Sequence, residues 1–504
     1  MNNLSAIDVS IVVLYIVGTT LLGVWFARKQ KDLKTYFVGD RNVGWGLVLI
    51  SIVATETSTV TFLSVPGLAF RNGGDCRFLQ LALGYIIGRL VIAWFLLPQY
   101  FRGECFSAYE LLRDRFGPVV QRVASAAFIV TRTIADGLRL FLTALLLRQF
   151  TDWDMTLSVL VMGIATIIYT YLGGMQAVIW TDLIQFVIYI LGAIVAAVLL
   201  VQMVPGGWEA VTATASEANK FRVVDVSLKI DDQFVLGAGV IGGAFFSMAS
   251  HGADQIMVQR YLCAKSVSQA RAALVLSGFV VFAQFALFLF IGIALYALHM
   301  SGRLHLEPGT RNDEVFGIYI VRELPIGMIG LVIAAVLAAA MSTLSSSLNS
   351  SATALMADFY KPLVRNRSEK HYLLLSKGAT AIFGVAQMGV ALATASLQTD
   401  ARDTSVVEKV LSVAGLTTGL ILGVFLVGTF RPRASPTAAL LGLLVGLSAV
   451  LAVWIPTNWG RTIVAWPWYA PIGALTTAGV AFLAEVLGFG SRSPVDGSAK
   501  PGVG

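Results

Sequence analysis

Charge is scarce in this sequence: 13% of its 504 residues are Asp, Glu, Lys or Arg, against roughly 25% in soluble domains. So few charged side chains cannot cover a fold of this length in water, which excludes a soluble globular protein. Cysteine is also rare. Cys76, Cys105 and Cys263 are too few and too scattered for a disulfide framework or a thiolate metal site. There are four histidines, no His/Glu pair at zinc spacing, no G-x-S-x-G and no P-loop, so no motif points to an enzyme. The net charge of +7 does not indicate nucleic acid, because the basic residues sit in short loops, where they carry topology.

Apolar sequence is plentiful, at 57% of residues, and it is gathered into long runs. Segments 79–101 and 186–204 are each long enough to cross a hydrocarbon core, which takes about 20 residues of helix. They lack the alternation of barrel strands, and open strands leave their backbone unsatisfied in lipid, so the spans are helices. Thirteen are expected: 6–28, 43–71, 77–101, 118–148, 155–174, 177–203, 233–258, 267–299, 325–358, 372–397, 406–430, 435–455 and 466–489. Basic residues crowd alternate loops. Arg28, Lys29, Lys31, Lys34 and Arg41 follow the first span, and Arg102, Arg113 and Arg115 the third. Arg260, Lys265 and Arg271 follow the seventh, Lys361, Arg365, Arg367, Lys370 and Lys377 the ninth, and Arg431 and Arg433 the eleventh. These loops are then cytoplasmic, with the N-terminus outside and the C-terminus inside. The first run is too long for a signal-peptide core and follows acidic Asp8, so it is a retained span. The expected product is a multi-pass, all-α protein of the cell membrane, acting as a monomer. Residues 1–490 form its transmembrane domain and 491–504 a disordered cytoplasmic tail.

Two spans are interrupted by small and polar residues, "ATETSTVTF" (54–62) and "GGAFFSMASHGADQ" (242–255). They open two groups of five spans, about 43–203 and 233–430, and five being odd, the second group runs inverted. Matching interruptions in inverted halves point to a transport site. The first holds Thr55, Glu56, Thr57, Ser58, Thr59 and Thr61, costly in lipid unless they face partners or a cavity. An unwound helix offers carbonyls, and with hydroxyls these suit a weakly held monovalent cation. The alternative is that the hydroxyls bond their own backbone and join neighbouring helices. In the ninth span Ser342, Ser345, Ser346 and Asn349 share a face, with close small-residue packing as the alternative. Asp182, in the sixth, needs a cation, a proton or a basic partner. Arg132, Asp136 and Arg139 share a face of the fourth span. One arginine is free to receive an anionic solute if Asp136 neutralises the other, though a closed internal network is as natural. His251, Asp254 and Gln255 surround Gly252 in the seventh.

In order along the chain, "YFVGDRNVGW" (36–45), "LGGMQAVIWTDLIQ" (172–185), "DQIMVQRYL" (254–262) and "AAAMSTLSSSLNS" (338–350) resemble the sodium:solute symporter family. The resemblance covers nearly the whole chain and implies a LeuT-type inverted-repeat fold and Na⁺-coupled symport of a small solute by alternating access. By motif it places a sodium site on Ala54, Thr57, Ala339, Ser342 and Thr343. A second, found in some members, falls on Asp182, Ser342, Ser345 and Ser346. The substrate does not carry over, because members use variable residues of helices two, three, four and seven; the candidate contacts here are Glu56, Ser58, Thr61, Arg139, Asp254 and Gln255. "TETSTVTF" is closer to members handling anions and vitamins than to sugar carriers, although the family also includes sugar and amino-acid symporters. Proton coupling through Glu56 or Asp182 is the alternative within transport.

Overall fold

The computed structural model describes residues 5–27, 33–102, 105–151, 153–397, 406–431 and 434–489; the tail expected to be disordered lies outside them. The described residues form helices in this order: α1 (Ala6–Ala27), α2 (Leu33–Val38), α3 (Trp45–Glu56), α4 (Thr59–Phe70), α5 (Leu79–Phe95), α6 (Leu97–Tyr100), α7 (Glu110–Phe116), α8 (Pro118–Phe150), α9 (Met155–Met203) and α10 (Gly207–Glu217). A π-helical turn at 238–242 leads into α11 (Gly243–Gly252), followed by α12 (Gln255–Leu262), α13 (Val267–Met300), α14 (Val315–Glu323) and α15 (Met328–Ala354). A second π-helical turn at 355–360 precedes α16 (Lys361–Leu363), α17 (Glu369–Leu397), α18 (Val406–Phe430), α19 (Pro436–Asn458) and α20 (Tyr469–Val486).

Eight of these are long and apolar enough to cross a membrane, and the α3–α4 pair makes a ninth. α5, α8 and the α11–α12 pair occupy other expected intervals, and carry buried charges such as Arg89, Asp136 and Arg260. α9 holds two expected spans in one: Gly174, at φ 56° and ψ −160°, breaks it with a conformation open only to glycine. Large apolar side chains face outward, with Leu14 74% and Ile382 67% exposed, as lipid contact requires. Polar groups face in. α15 runs through the centre, buried at every residue from Ile329 to Ala354 except Leu331. Its start is held by α1, whose Asp8 carboxylate accepts from Gly327 N at 2.8 Å and Gly330 N at 2.7 Å.

Both interrupted spans are broken. α3 and α4 meet at 63° across Thr57 and Ser58, both extended. Within α4, Pro66 has no N–H to give the carbonyl four residues back. The second break is at Ala253–Asp254, where the Asp254 side chain accepts from Ile256 N at 2.8 Å and caps α12. α13 reaches the backbone of α4 because Gly292 has no side chain; an added Cβ would stand 2.0 Å from Pro66 O. Gly292→Ala is therefore expected to cost about 1–3 kcal/mol, read as a lower thermal midpoint of the purified protein. Gly389→Ala on α17, where an added Cβ meets nothing within 4 Å, leaves the midpoint unchanged or slightly higher.

Candidate functional site

The first break is held by hydroxyls from three helices. Thr343 on α15 donates from Oγ1 to Thr55 O at 3.0 Å, with Ala339 O at 3.4 Å. Thr59, the first residue of α4, donates to Val336 O at 3.3 Å and receives the Thr143 hydroxyl of α8 at 3.1 Å. Gln284 on α13 donates to Thr57 Oγ1 at 2.6 Å. The five residues of the expected sodium site, Ala54, Thr57, Ala339, Ser342 and Thr343, are all buried, and Thr343 bonds both sides of the α3–α15 contact. Unwinding at Thr57–Ser58 exposes carbonyls that a continuous helix would consume, beside hydroxyls that are neutral, hard oxygen ligands.

Asp182, fully buried on the second half of α9, adjoins this set, and its two oxygens have different surroundings. Oδ1 accepts from Ser342 Oγ at 2.6 Å. Oδ2 accepts from Ser51 Oγ at 2.5 Å and from Arg260 Nη2 at 3.1 Å, with Thr55 Oγ1 at 3.4 Å. The partner that a buried carboxylate requires is thus a guanidinium. Arg260, expected as a loop charge, is instead completely buried in α12, where it also bonds Thr55, Ser346 and Ser51. Ser345 and Ser346 both donate to Ser342 O, at 3.1 and 2.7 Å. The four residues of the expected second site are brought together, with an arginine beside them that the motif did not show.

Glu56 precedes the break and pairs with Arg89 of α5, whose side chain is wholly enclosed. Arg89 donates from Nη1 to Ser277 Oγ at 2.8 Å and lies 3.1 Å from His251 Nε2; His251 Nδ1 lies 2.8 Å from the Tyr261 hydroxyl. An arginine can only donate, so Nε2 accepts and Nδ1 carries the proton. Glu56, Arg89 and His251 therefore join the ends of both broken helices. Nothing local in the sequence marks Arg89 as Glu56's partner, 33 residues on.

Around α8, Asp136 sits between two arginines, hydrogen-bonded to Arg139 and 3.7 Å from Arg132 Nε. Arg132 pairs with Asp254 at 3.2 Å. Arg139 Nε has no hydrogen-bond partner among the described residues. Its turn adjoins α4, because the Thr143 hydroxyl lies 2.9 Å from Arg139 O and 3.1 Å from Thr59 Oγ1. Ser58 and Thr61 are buried in the same turn of α4, and no side chain caps that helix start. Gln255 is spent on backbone, accepting from Ala108 N at 2.6 Å and donating to Phe106 O at 3.0 Å. A cavity of about 670 Å³ lies on the side expected to be external, lined among others by Leu138, Phe141, Gln233, Glu408 and Tyr469. Val413 lines both it and a small inner cavity that reaches Arg132 and Asp254. Arg71 and Glu408 pair at 3.3 Å near its mouth.

The architecture is that of a solute transporter with two discontinuous helices. Residues 36–446 match the sodium:solute symporter family, and the chain belongs to it. It is 30% identical to the sodium/sialic acid symporter NanT of Aliivibrio fischeri over 93% of this chain and 91% of that one. Against the sodium-dependent multivitamin transporter of Oryctolagus cuniculus it is 31% identical, over 90% of this chain and 71% of the relative. A solved Na⁺-coupled sialic acid symporter, substrate-bound and outward-open, superposes with a TM-score of 0.87 at 27% identity, covering 97% of this chain and 99% of that one. The protein is a multi-pass, Na⁺-coupled symporter of LeuT-type fold and not an enzyme. Glu56→Gln is expected to cost about 3–5 kcal/mol in unfolding, because Arg89 is left charged, buried and unpaired. Adding Arg89→Met is expected to recover most of that loss, measured as a double-mutant coupling.

Proposed function

We propose that this symporter imports a small organic anion, whose carboxylate binds Arg139 beside the uncapped start of α4. One Na⁺ is held by carbonyls of Ala54, Thr57 and Ala339 with the hydroxyls of Ser342 and Thr343. The observation that carries the sodium half is the Thr343 bridge from α15 to Thr55 across the broken helix. For the anion, support comes from a guanidinium with a spare donor on the stretch of α8 whose Thr143 reaches the start of α4; a guanidinium and a helix N-terminus both favour negative charge. The two relatives described are named for sialic acid and for vitamins. In this reading Ser58 and Thr61 touch the solute, whereas Glu56, Asp254 and Gln255, which are engaged internally, shape the site. Glu56 and Asp182 each pair with a buried arginine, which disfavours either as a proton carrier.

Entry runs through the outer cavity. Na⁺ replaces its hydration shell with fixed carbonyls and hydroxyls, draws the break against α15 and orders the start of α4 for the solute. Because the coupling is reciprocal, the solute tightens Na⁺ binding by the same factor. Towards the cytoplasm the path is tied by Gln255 and by Asp358, which accepts from Ser107, Gln121 and Ser125 at 2.6–2.9 Å. Opening there releases both cargoes, driven by the sodium gradient and by a potential contributing about 2.3 kcal/mol per charge per 100 mV.

The test is uptake into proteoliposomes of radiolabelled sialic acid, lactate, biotin, glucose and proline, with and without an inward Na⁺ gradient. An anion should accumulate, only with Na⁺, and Ser342→Ala with Thr343→Ala should abolish the sodium dependence. Arg139→Gln should raise the anion's KM by about a hundredfold and leave Na⁺ binding unchanged. Accumulation of glucose or proline alone, or intact sodium dependence in the double variant, would overturn the assignment. A second ion is favoured by one observation: Asp182 Oδ1 takes the Ser342 hydroxyl, while Arg260 bonds the other oxygen, Oδ2. Ser345→Ala removes a hydroxyl there and leaves the ion pair alone. The Hill coefficient for Na⁺ is expected to drop from about two towards about one; a wild-type value near one would remove the second ion.

A further inference from the structure

The connection between the two five-helix groups is sewn onto the outer end of the first. Cys76 N donates to Arg222 O at 3.0 Å, Gln80 Nε2 to Phe234 O at 2.9 Å, and Arg77 pairs with Asp225 at 2.9 Å. Within this connection Lys220 turns inward and is 1% exposed. Its Nζ lies 2.8 Å from Ala69 O, 3.3 Å from Phe70 O, 3.1 Å from Arg71 O and 3.2 Å from Gly74 O. It also stands 3.9 Å over the Tyr296 ring of α13. Ala69 O and Phe70 O end α4 without an onward helical partner, and Arg71 O, just past that end, also accepts from Gly74 N at 2.8 Å. A cation there meets the negative end of the helix dipole and the face of an aromatic ring.

We propose that Lys220 is a positioning residue of the transport cycle: its ammonium fills a four-carbonyl seat at the outer end of α4, and so sets where the inner end of α4 meets α15. α4 is a rod of 12 residues, about 18 Å long. One end is clipped by Lys220. The other carries Thr59, bonded to Val336 and Thr143 beside the sodium residues. A loosened clip lets the rod tilt, and the carbonyls at the break lose their register with Ser342 and Thr343.

The seat also responds to external pH. Facing it are Asp75 and Cys76, Arg71 and the Tyr296 ring, and His299 packs on Phe70. Burial draws the Lys220 ammonium down to about 8, the Asp75 carboxylate opposing. As external pH rises through about 8 the proton is lost, leaving two N–H donors for four carbonyls. An arginine at this position stays charged throughout.

The experiment uses Na⁺ alone as ligand. The full chain in nanodiscs is titrated with Na⁺, and its thermal midpoint gives the half-saturating concentration. Lys220→Ala is expected to raise that concentration about tenfold, the size of a partly buried charge at a helix end. Added ethylammonium, which fits the vacated seat, is expected to restore it. Wild-type Na⁺ affinity should weaken above pH about 8, and Lys220→Arg should abolish that weakening. Wild-type affinity in Lys220→Ala, or a defect indifferent to ethylammonium, would refute the clip. If the alanine variant fails to insert, wild type and Lys220→Arg decide the matter, and equal alkaline weakening in both overturns the proposal.

Discussion

A backbone that unwinds in the middle of a membrane has no water to bond to, and its neighbours must complete it. That constraint organises this molecule. At Thr57 and Ser58 the chain is extended, and α8, α13 and α15 each send a side chain to the break. Thr143, Gln284 and Thr343 are spaced far apart in sequence and converge because the opening demands them. The same debt explains why α15 is polar along one side although it is almost entirely enclosed. Its hydroxyls satisfy carbonyls, and in the proposed site they would share them with the ion. Neutral oxygens of this kind hold a monovalent ion only modestly, as a carrier that must release it requires.

Charge inside the bundle is arranged in closed groups. Glu56 balances Arg89, Asp182 balances Arg260, and Asp136 with Asp254 balances Arg132 with Arg139. A buried pair is weak evidence for stability, because desolvation cancels much of its attraction. Each of these groups balances its own charge, so that beside them one added cation and one added anion stand out electrically. The Glu56 and Asp182 groups each bridge a broken helix to another element, so fixed ion pairs tie together segments that transport must move.

Much of this was legible in the chain itself. The two helix breaks, the alternation of basic loops and the Ser342–Thr343 face follow from composition and periodicity, which are local properties. The residues that complete the site are not local. Arg260 reads as a loop charge because it closes a seven-residue run after the second break, and only the return of α12 against α3 and α9 shows it as Asp182's partner. Arg89 sits alone in an apolar segment and gains meaning only from Glu56. Gln255 stands beside the break, where the sequence suggests a solute contact, and only packing shows that its amide bonds the turn at 106–108. A side chain's type is written in the sequence, while the partner it spends its hydrogen bonds on is decided by packing.

The Asp8 carboxylate, which takes the first amides of α15, places the hydroxyls of the proposed sodium site in an unexpected frame of reference. Ser342 and Thr343 lie on a rigid helix that begins at Met328, so their depth in the bilayer is measured from α1. That peripheral helix contributes no residue to the ion site, yet it acts as the datum for it. A change of lipid thickness that tilts α1 would therefore be felt as a change in the depth of Ser342 and Thr343.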